Sequence, residues 1–88
     1  MLRKILGTAA AFTLLSAFLV ADEGSVSRVD TATREIEVQV GEQTYDVRAA
    51  DVRLLDREGN AANLEDFAAG AKVEVTLEDG KVTKIQLQ

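Results

Sequence analysis

Lys72-Val73-Glu74-Val75-Thr76-Leu77-Glu78-Asp79-Gly80-Lys81-Val82-Thr83-Lys84-Ile85-Gln86-Leu87 is the stretch that decides the fold. Val73, Val75 and Leu77 alternate with Lys72, Glu74, Thr76 and Glu78, the period-two pattern of a half-buried strand. Asp79-Gly80 is a strong hairpin turn, because both central residues of the favoured turn need positive φ. A ladder through that turn sets Leu77 against Val82, but a regular continuation would set Val75 against Lys84. One extra residue, at Thr83 or Lys84, restores Val75 to Ile85 and Val73 to Leu87. The spacing therefore predicts a hairpin with a β-bulge in its second strand, and bulges curl sheets.

Working outward, Gly24-Ser25-Val26-Ser27-Arg28-Val29 repeats the order of Gly80-Lys81-Val82-Thr83-Lys84-Ile85. Each reads Gly-x-Val, a small hydroxyl residue, a cation, then a β-branched residue. A turn over Thr31 to Arg34 pairs Val29 with Ile36, and a bulge at Ser27 or Arg28 then pairs Val26 with Val38. Ile36, Val38 and Val40 alternate with Glu35, Glu37 and Gln39, and Tyr45 and Val47 alternate with Thr44, Asp46 and Arg48. A two-residue turn at Gly41-Glu42, with Gly first, pairs Val38 with Tyr45 and Ile36 with Val47. Between these strands and the last hairpin, Asn63-Leu64-Glu65-Asp66-Phe67-Ala68-Ala69-Gly70 reads as one short helix. Asn63 caps it, acids sit at its positive end, and Gly70 stops it. Leu64 and Phe67 share one face and plug the barrel. Val52 to Leu55 is a candidate short extra strand, and Asp56 to Asn60 a turn rather than a calcium loop, since its acid spacing is wrong.

Three strands, a short helix and two strands give the expected fold: an all-β, five-stranded, OB-like barrel closed by its two bulges, with one short helix between strands 3 and 4. The residues that carry this order are Gly24-x-Val26-x-x-Val29-Asp30, Ile36-x-Val38, Tyr45-x-Val47, Leu64-x-x-Phe67-x-x-Gly70-x-x-Val73-x-Val75 and Gly80-x-Val82-x-x-Ile85. Over nearly all of residues 24–87 the chain resembles small exported bacterial β-barrel domains that are known chiefly as domains of unknown function. That resemblance implies a fold and an envelope location, and it carries no active-site residues with it.

The N-terminus points to the same compartment. Met1-Leu2-Arg3-Lys4 is a short cationic start, Ile5 to Ala21 carries no charge, and Asp22-Glu23-Gly24 opens a polar segment. That order reads as an export signal over residues 1–21, cleaved after Ala21, with residues 22–88 as the domain; the alternative is an uncleaved anchor, with residues 5–21 its only membrane contact. Either way residues 22–88 lie outside the cytoplasm, in the periplasm or tethered to the inner membrane, because Arg3 and Lys4 favour a cytoplasmic N-terminus.

Composition excludes more than it specifies. Residues 22–88 hold eight basic against fifteen acidic residues, a net charge of −7, which repels nucleic-acid backbones and anionic lipid. Tyr45 and Phe67 are its only aromatics and both fall at core positions, so no stacking platform for single strands exists. The chain has no His, Cys, Trp or Pro. Without His or Cys it has no Ser-His or Cys-His nucleophile pair and no ordinary zinc, copper or haem site. No cofactor and no enzymatic activity are expected.

One candidate site follows from the register. Glu37 falls directly opposite Asp46, and facing like charges need compensation. A hard cation such as Ca²⁺ held by Glu37 and Asp46 is one solution. The other is ion pairing, with Arg28 beside Glu37 and Arg48 across from Glu35. Ser27, Arg28, Lys81 and Lys84 read as solvated edge residues that discourage edge-to-edge aggregation. The function expected is an exported, non-enzymatic envelope binding or accessory module that contacts a protein or peptide. The alternative is a periplasmic cation or small-ligand binder acting in envelope stress.

Overall fold

The alternation in the sequence is realised as strands. A computed structural model describes residues 19–88. In it the chain forms β1 (Leu19–Asp30), β2 (Glu35–Val40), β3 (Gln43–Arg48), β4 (Arg53–Leu55), β5 (Lys72–Glu78) and β6 (Lys81–Leu87). All six lie in one sheet, ordered β3-β2-β1-β5-β6-β4 and curled into an open half-barrel. The fold is all-β.

The predicted registers are present residue for residue. Val38 faces Tyr45 and Ile36 faces Val47 across the β2–β3 hairpin. Val26 pairs with Val38 and Arg28 with Glu37, so Ser27 is the bulged residue of β1. Leu77 pairs with Val82 and Thr76 with Lys84, so Thr83 is the bulged residue of β6. The turns follow the required chemistry: Asp79 and Gly80 both have positive φ, at 54° and 82°, and Gly41 sits at 62°. The bulges keep Val26, Ile36, Val38, Val73, Val75, Val82 and Ile85 on one concave face, and all seven are buried. Each such side chain contributes about 1.5–3 kcal/mol by leaving water, which is what holds the sheet in a chain without cysteine.

Three expectations are corrected. The sheet has six strands, not five, and it does not close. Leu54 and Leu55 are both buried, and β4 gains that burial by pairing in parallel with Lys84–Gln86 of β6. That takes the β6 edge that β3 would need for closure, so β3 ends the sheet. The helix expected over Asn63–Gly70 is only a 3-10 turn at Leu64–Asp66. Eight residues are too few to sustain a helix without packing around it. Here the chain turns back at extended Phe67, and Gly70 N–H donates to Val26 O at 2.7 Å while Val26 N–H donates to Ala71 O at 2.9 Å. Leu64 and Phe67 still fill the core, at 0% and 3% exposure.

The first strand starts earlier than expected. Residues 1–18 of the inferred export segment lie outside the described residues, but Leu19, Val20 and Ala21 pair with Glu78, Leu77 and Thr76 of β5. β1 thus serves two neighbours in turn, β5 with its first half and β2 with its second, and Ser25 pairs with both Lys72 and Gln39. Gly24 lies at this crossing, where an added Cβ would sit 2.6 Å from Gln39 O.

Candidate functional site

The outer face of β1, β2 and β3 gathers the charges that the sequence singled out. Had β1 run regularly after Val26, Ser27 would face Glu37 and Arg28 would turn toward the core. The Ser27 bulge shifts the strand by one residue and brings Arg28 to the outer face opposite Glu37. Glu37 in turn faces Asp46. The Arg28 guanidinium reaches three carboxylates: its Nε lies 3.5 Å from Glu37 Oε1, Nη2 3.6 Å from Asp46 Oδ2, and Nη1 3.7 Å from Asp30 Oδ2.

These contacts are long and exposed, with 47% of the Arg28 side chain and 54% of the Asp46 side chain open to solvent. Pairs of this kind contribute about 0–1 kcal/mol. Their role is to offset the Glu37–Asp46 repulsion, which one cation against three carboxylates does only in part. Glu37 and Asp46 therefore sit together as predicted, with Arg28 in the place a cation would take. Among the described residues no group of three or more His, Cys, Asp or Glu is arranged to hold a metal ion.

Asp30 closes the adjoining turn. Its Oδ1 accepts from Ala32 N–H at 3.0 Å and from Thr33 N–H at 3.2 Å. The Thr33 N–H is the main cause that holds the Asp30 carboxyl below its ordinary range; partial desolvation opposes it, and the Ala32 N–H, the Thr33 side chain and Arg28 add to it. The expected Glu35–Arg48 pair is only half present. The two residues are opposite one another, but Thr33 Oγ1 donates to Glu35 Oε1 at 3.3 Å, and Arg48 makes no ion pair among the described residues.

The feature that sequence reasoning missed is the seam left by the open sheet. A groove of about 580 Å³ runs between the outer edge of β3 and the start of β6. Tyr45, Val47, Val52 and Val82 line it, with Arg48 and Lys81 among its charged residues. The signal was the short apolar run at Val52–Leu55, which competes with β3 for the β6 edge. A second groove, of about 490 Å³, lies around Glu23, Ser25, Gln39 and Lys72 where β1 changes partners. Among the described residues no helix is long and apolar enough to cross a membrane. Neither a protein-family model nor a curated protein sequence matches the chain.

Proposed function

We propose that this protein is an exported, non-enzymatic binding or accessory module of the bacterial envelope that contacts a protein or peptide. The observation that carries the reading is the sheet that stops at β3 beside a ligand-sized groove instead of closing. An unpaired edge strand is a recognition surface for another polypeptide unless it is covered. Supporting it are the basic, apolar, then acidic order of residues 1–24, read as export to the periplasm with or without cleavage after Ala21, and the absence of His and Cys from the chain. The half-barrel fits an OB-like ancestry in which β4 has taken the closing position beside β6.

A second reading has one observation in its favour. Asp30, Glu37 and Asp46 share a single guanidinium, so the cluster retains negative charge that a hard cation would match. In-cell cross-linking of the tagged protein, followed by mass spectrometry, tests the first reading. One dominant envelope partner and an N-terminus at Asp22 are expected. An intact Met1 start in the soluble cytoplasmic fraction would overturn it.

A further inference from the structure

We infer that the β3–β6 seam is a strand-addition site for an extended polypeptide whose sequence reads acidic, β-branched, basic. This deepens the binding-module reading above and rests on it.

Main-chain geometry comes first. The two-residue turn at Gly41-Glu42 makes Val40–Gln43 a hydrogen-bonded pair, and alternation then points the N–H and C=O groups of Thr44, Asp46 and Arg48 away from β2. Among the described residues no strand lies on that side, because the sheet ends there. On the opposite bank the Asp79-Gly80 turn makes Glu78–Lys81 the hydrogen-bonded pair, which points Val82 away from β5. β4 covers β6 only over Lys84–Gln86, so among the described strands none pairs with the outward main chain of Val82, whose side chain is buried in the core beneath the groove.

Direction follows from topology. β3 and β2, β2 and β1, β1 and β5, and β5 and β6 are each antiparallel. β3 and β6 therefore run the same way, and one added strand can be antiparallel to both banks at once. The antiparallel pairing is also the more stable of the two.

Side chains set the chemistry. On the outer face a cation opposite Asp46 would join a carboxylate that Arg28 only partly offsets, and an acid opposite Arg48 would meet a guanidinium that has no ion pair among the described residues. Between them, on the inner face, an apolar β-branched residue would meet Val47, and the next would meet Tyr45 over Val52 and Val82. Read along the added strand, the order is Glu-Val-Lys-Val. The groove volume of about 580 Å³ suits one short extended segment and not a second folded copy. The groove beside Glu23 carries no comparable argument, since cleavage after Ala21 would remould its edge.

The probe is the peptide acetyl-Thr-Glu-Val-Lys-Val-Thr-amide, titrated into the protein as purified from the expressing cell and followed by amide chemical shifts. Shifts centred on the N–H groups of Thr44, Asp46 and Arg48 are expected, with slowed hydrogen exchange at the same groups. The charge-reversed peptide acetyl-Thr-Lys-Val-Glu-Val-Thr-amide should bind about tenfold more weakly, because two cross-strand attractions become repulsions. In the doubly substituted D46K/R48D protein that preference should invert. Hydrogen exchange on the unsubstituted protein decides the matter if the variant does not fold. Absence of shifts at millimolar peptide, or equal binding of both peptides, overturns the proposal. So does concentration-dependent self-association that shifts the same N–H groups without peptide, since the edge would then belong to a second copy. Failure of the peptide with an envelope partner still cross-linked would remove the strand-addition site alone; binding of the peptide by a protein that stays in the cytoplasm would remove the envelope reading alone.

Discussion

Replacing Gly24 by Ala tests the geometry that makes the sheet curl. The new Cβ would lie 2.6 Å from Gln39 O, 3.1 Å from Val40 Cγ2 and 3.4 Å from the Gln39 carbonyl carbon. The nearest atom is backbone, so no side chain can swing aside. Relief to an ordinary 3.4 Å contact requires the strands to part by about 0.8 Å. β1 has no room to give, since Gly24 is paired with Val73 on one side and Ser25 with Gln39 on the other. Overpacking of this kind costs about 1–3 kcal/mol. Loss of glycine freedom in the unfolded chain returns about 0.4–1 kcal/mol. The net destabilisation is about 1.3 kcal/mol at the centre of these two ranges, which for a domain of this size lowers Tm by roughly 5–10 °C. Thermal melts followed by circular dichroism, with reversibility checked, measure it. A Tm within about 2 °C of the unsubstituted protein, or above it, would refute the close approach of β1 and β2 at Gly24.

Gly80→Val meets open space but has to hold a φ of 82°, so it should lose about 2 kcal/mol or more in a denaturant titration. For Asp30 the folded carboxyl titrates below its unfolded value, so its contribution is present above the ordinary Asp pKa of about 3.9 and is lost as pH falls through the lowered folded value. Asp30→Asn should therefore lower the neutral plateau slightly and flatten the acid limb in that window, leaving stability below the lowered folded value nearly unchanged, as denaturant titrations at a series of pH values would show. Arg28→Ala should alter stability by less than about 1 kcal/mol, yet it leaves Glu37 and Asp46 facing each other uncompensated. A Ca²⁺ heat that calorimetry detects only in that variant would show the guanidinium standing where a cation can bind, and a heat in neither protein would remove the cation reading. A chain that begins at Asp22 should melt within a few degrees of one that begins at Leu19. Three ladder residues gain about 0.5–1.5 kcal/mol per hydrogen bond but cost about 1–2 kcal/mol each in backbone freedom. A large loss of Tm would argue against cleavage after Ala21.

Much of the sheet was legible because apolar positions over-determine register. Once Asp79-Gly80 fixes Leu77 against Val82, only a bulge returns Val75 to Ile85, and Thr83 proves to be that residue. The same reasoning put a bulge at Ser27 or Arg28, and Ser27 proves to be that residue, which brings Arg28 beside Glu37. The apparent repeat of Gly24 and Gly80 was half informative. The bulges match, but Gly80 serves a turn at positive φ and Gly24 a close approach of two strands. Closure was not legible, because it is a competition. The short strand expected within Val52–Leu55 is present as β4, but its partner was not legible, and only packing shows that Leu54 and Leu55 take the β6 edge from β3. The early start of β1 was hidden for a different reason. The change from Ala21 to Asp22 reads in hydropathy as an export boundary, whereas the structure has the interior of a strand in the same residues.

The open edge at β3 raises the question of why the protein would not polymerise along it. Asp46-Val47-Arg48 is self-complementary: with Val47 on a two-fold axis, Asp46 of one copy would face Arg48 of the next. Charge along the strand is thus no barrier to self-pairing, although alternating charges do reject strands of uniform sign. The far bank of the groove supplies the barrier. Lys81 and Val82 line the same groove as Val47, so the free edge of β3 faces the start of β6 and not open solvent. A lone extended segment brings only itself into that space, whereas a second half-barrel brings its β2 and β1 behind its own β3. The net charge of −7 on residues 22–88 adds long-range repulsion between copies. The arrangement that leaves the barrel unclosed therefore also restricts what can close it, and Asp46 and Arg48 select among the extended segments that remain.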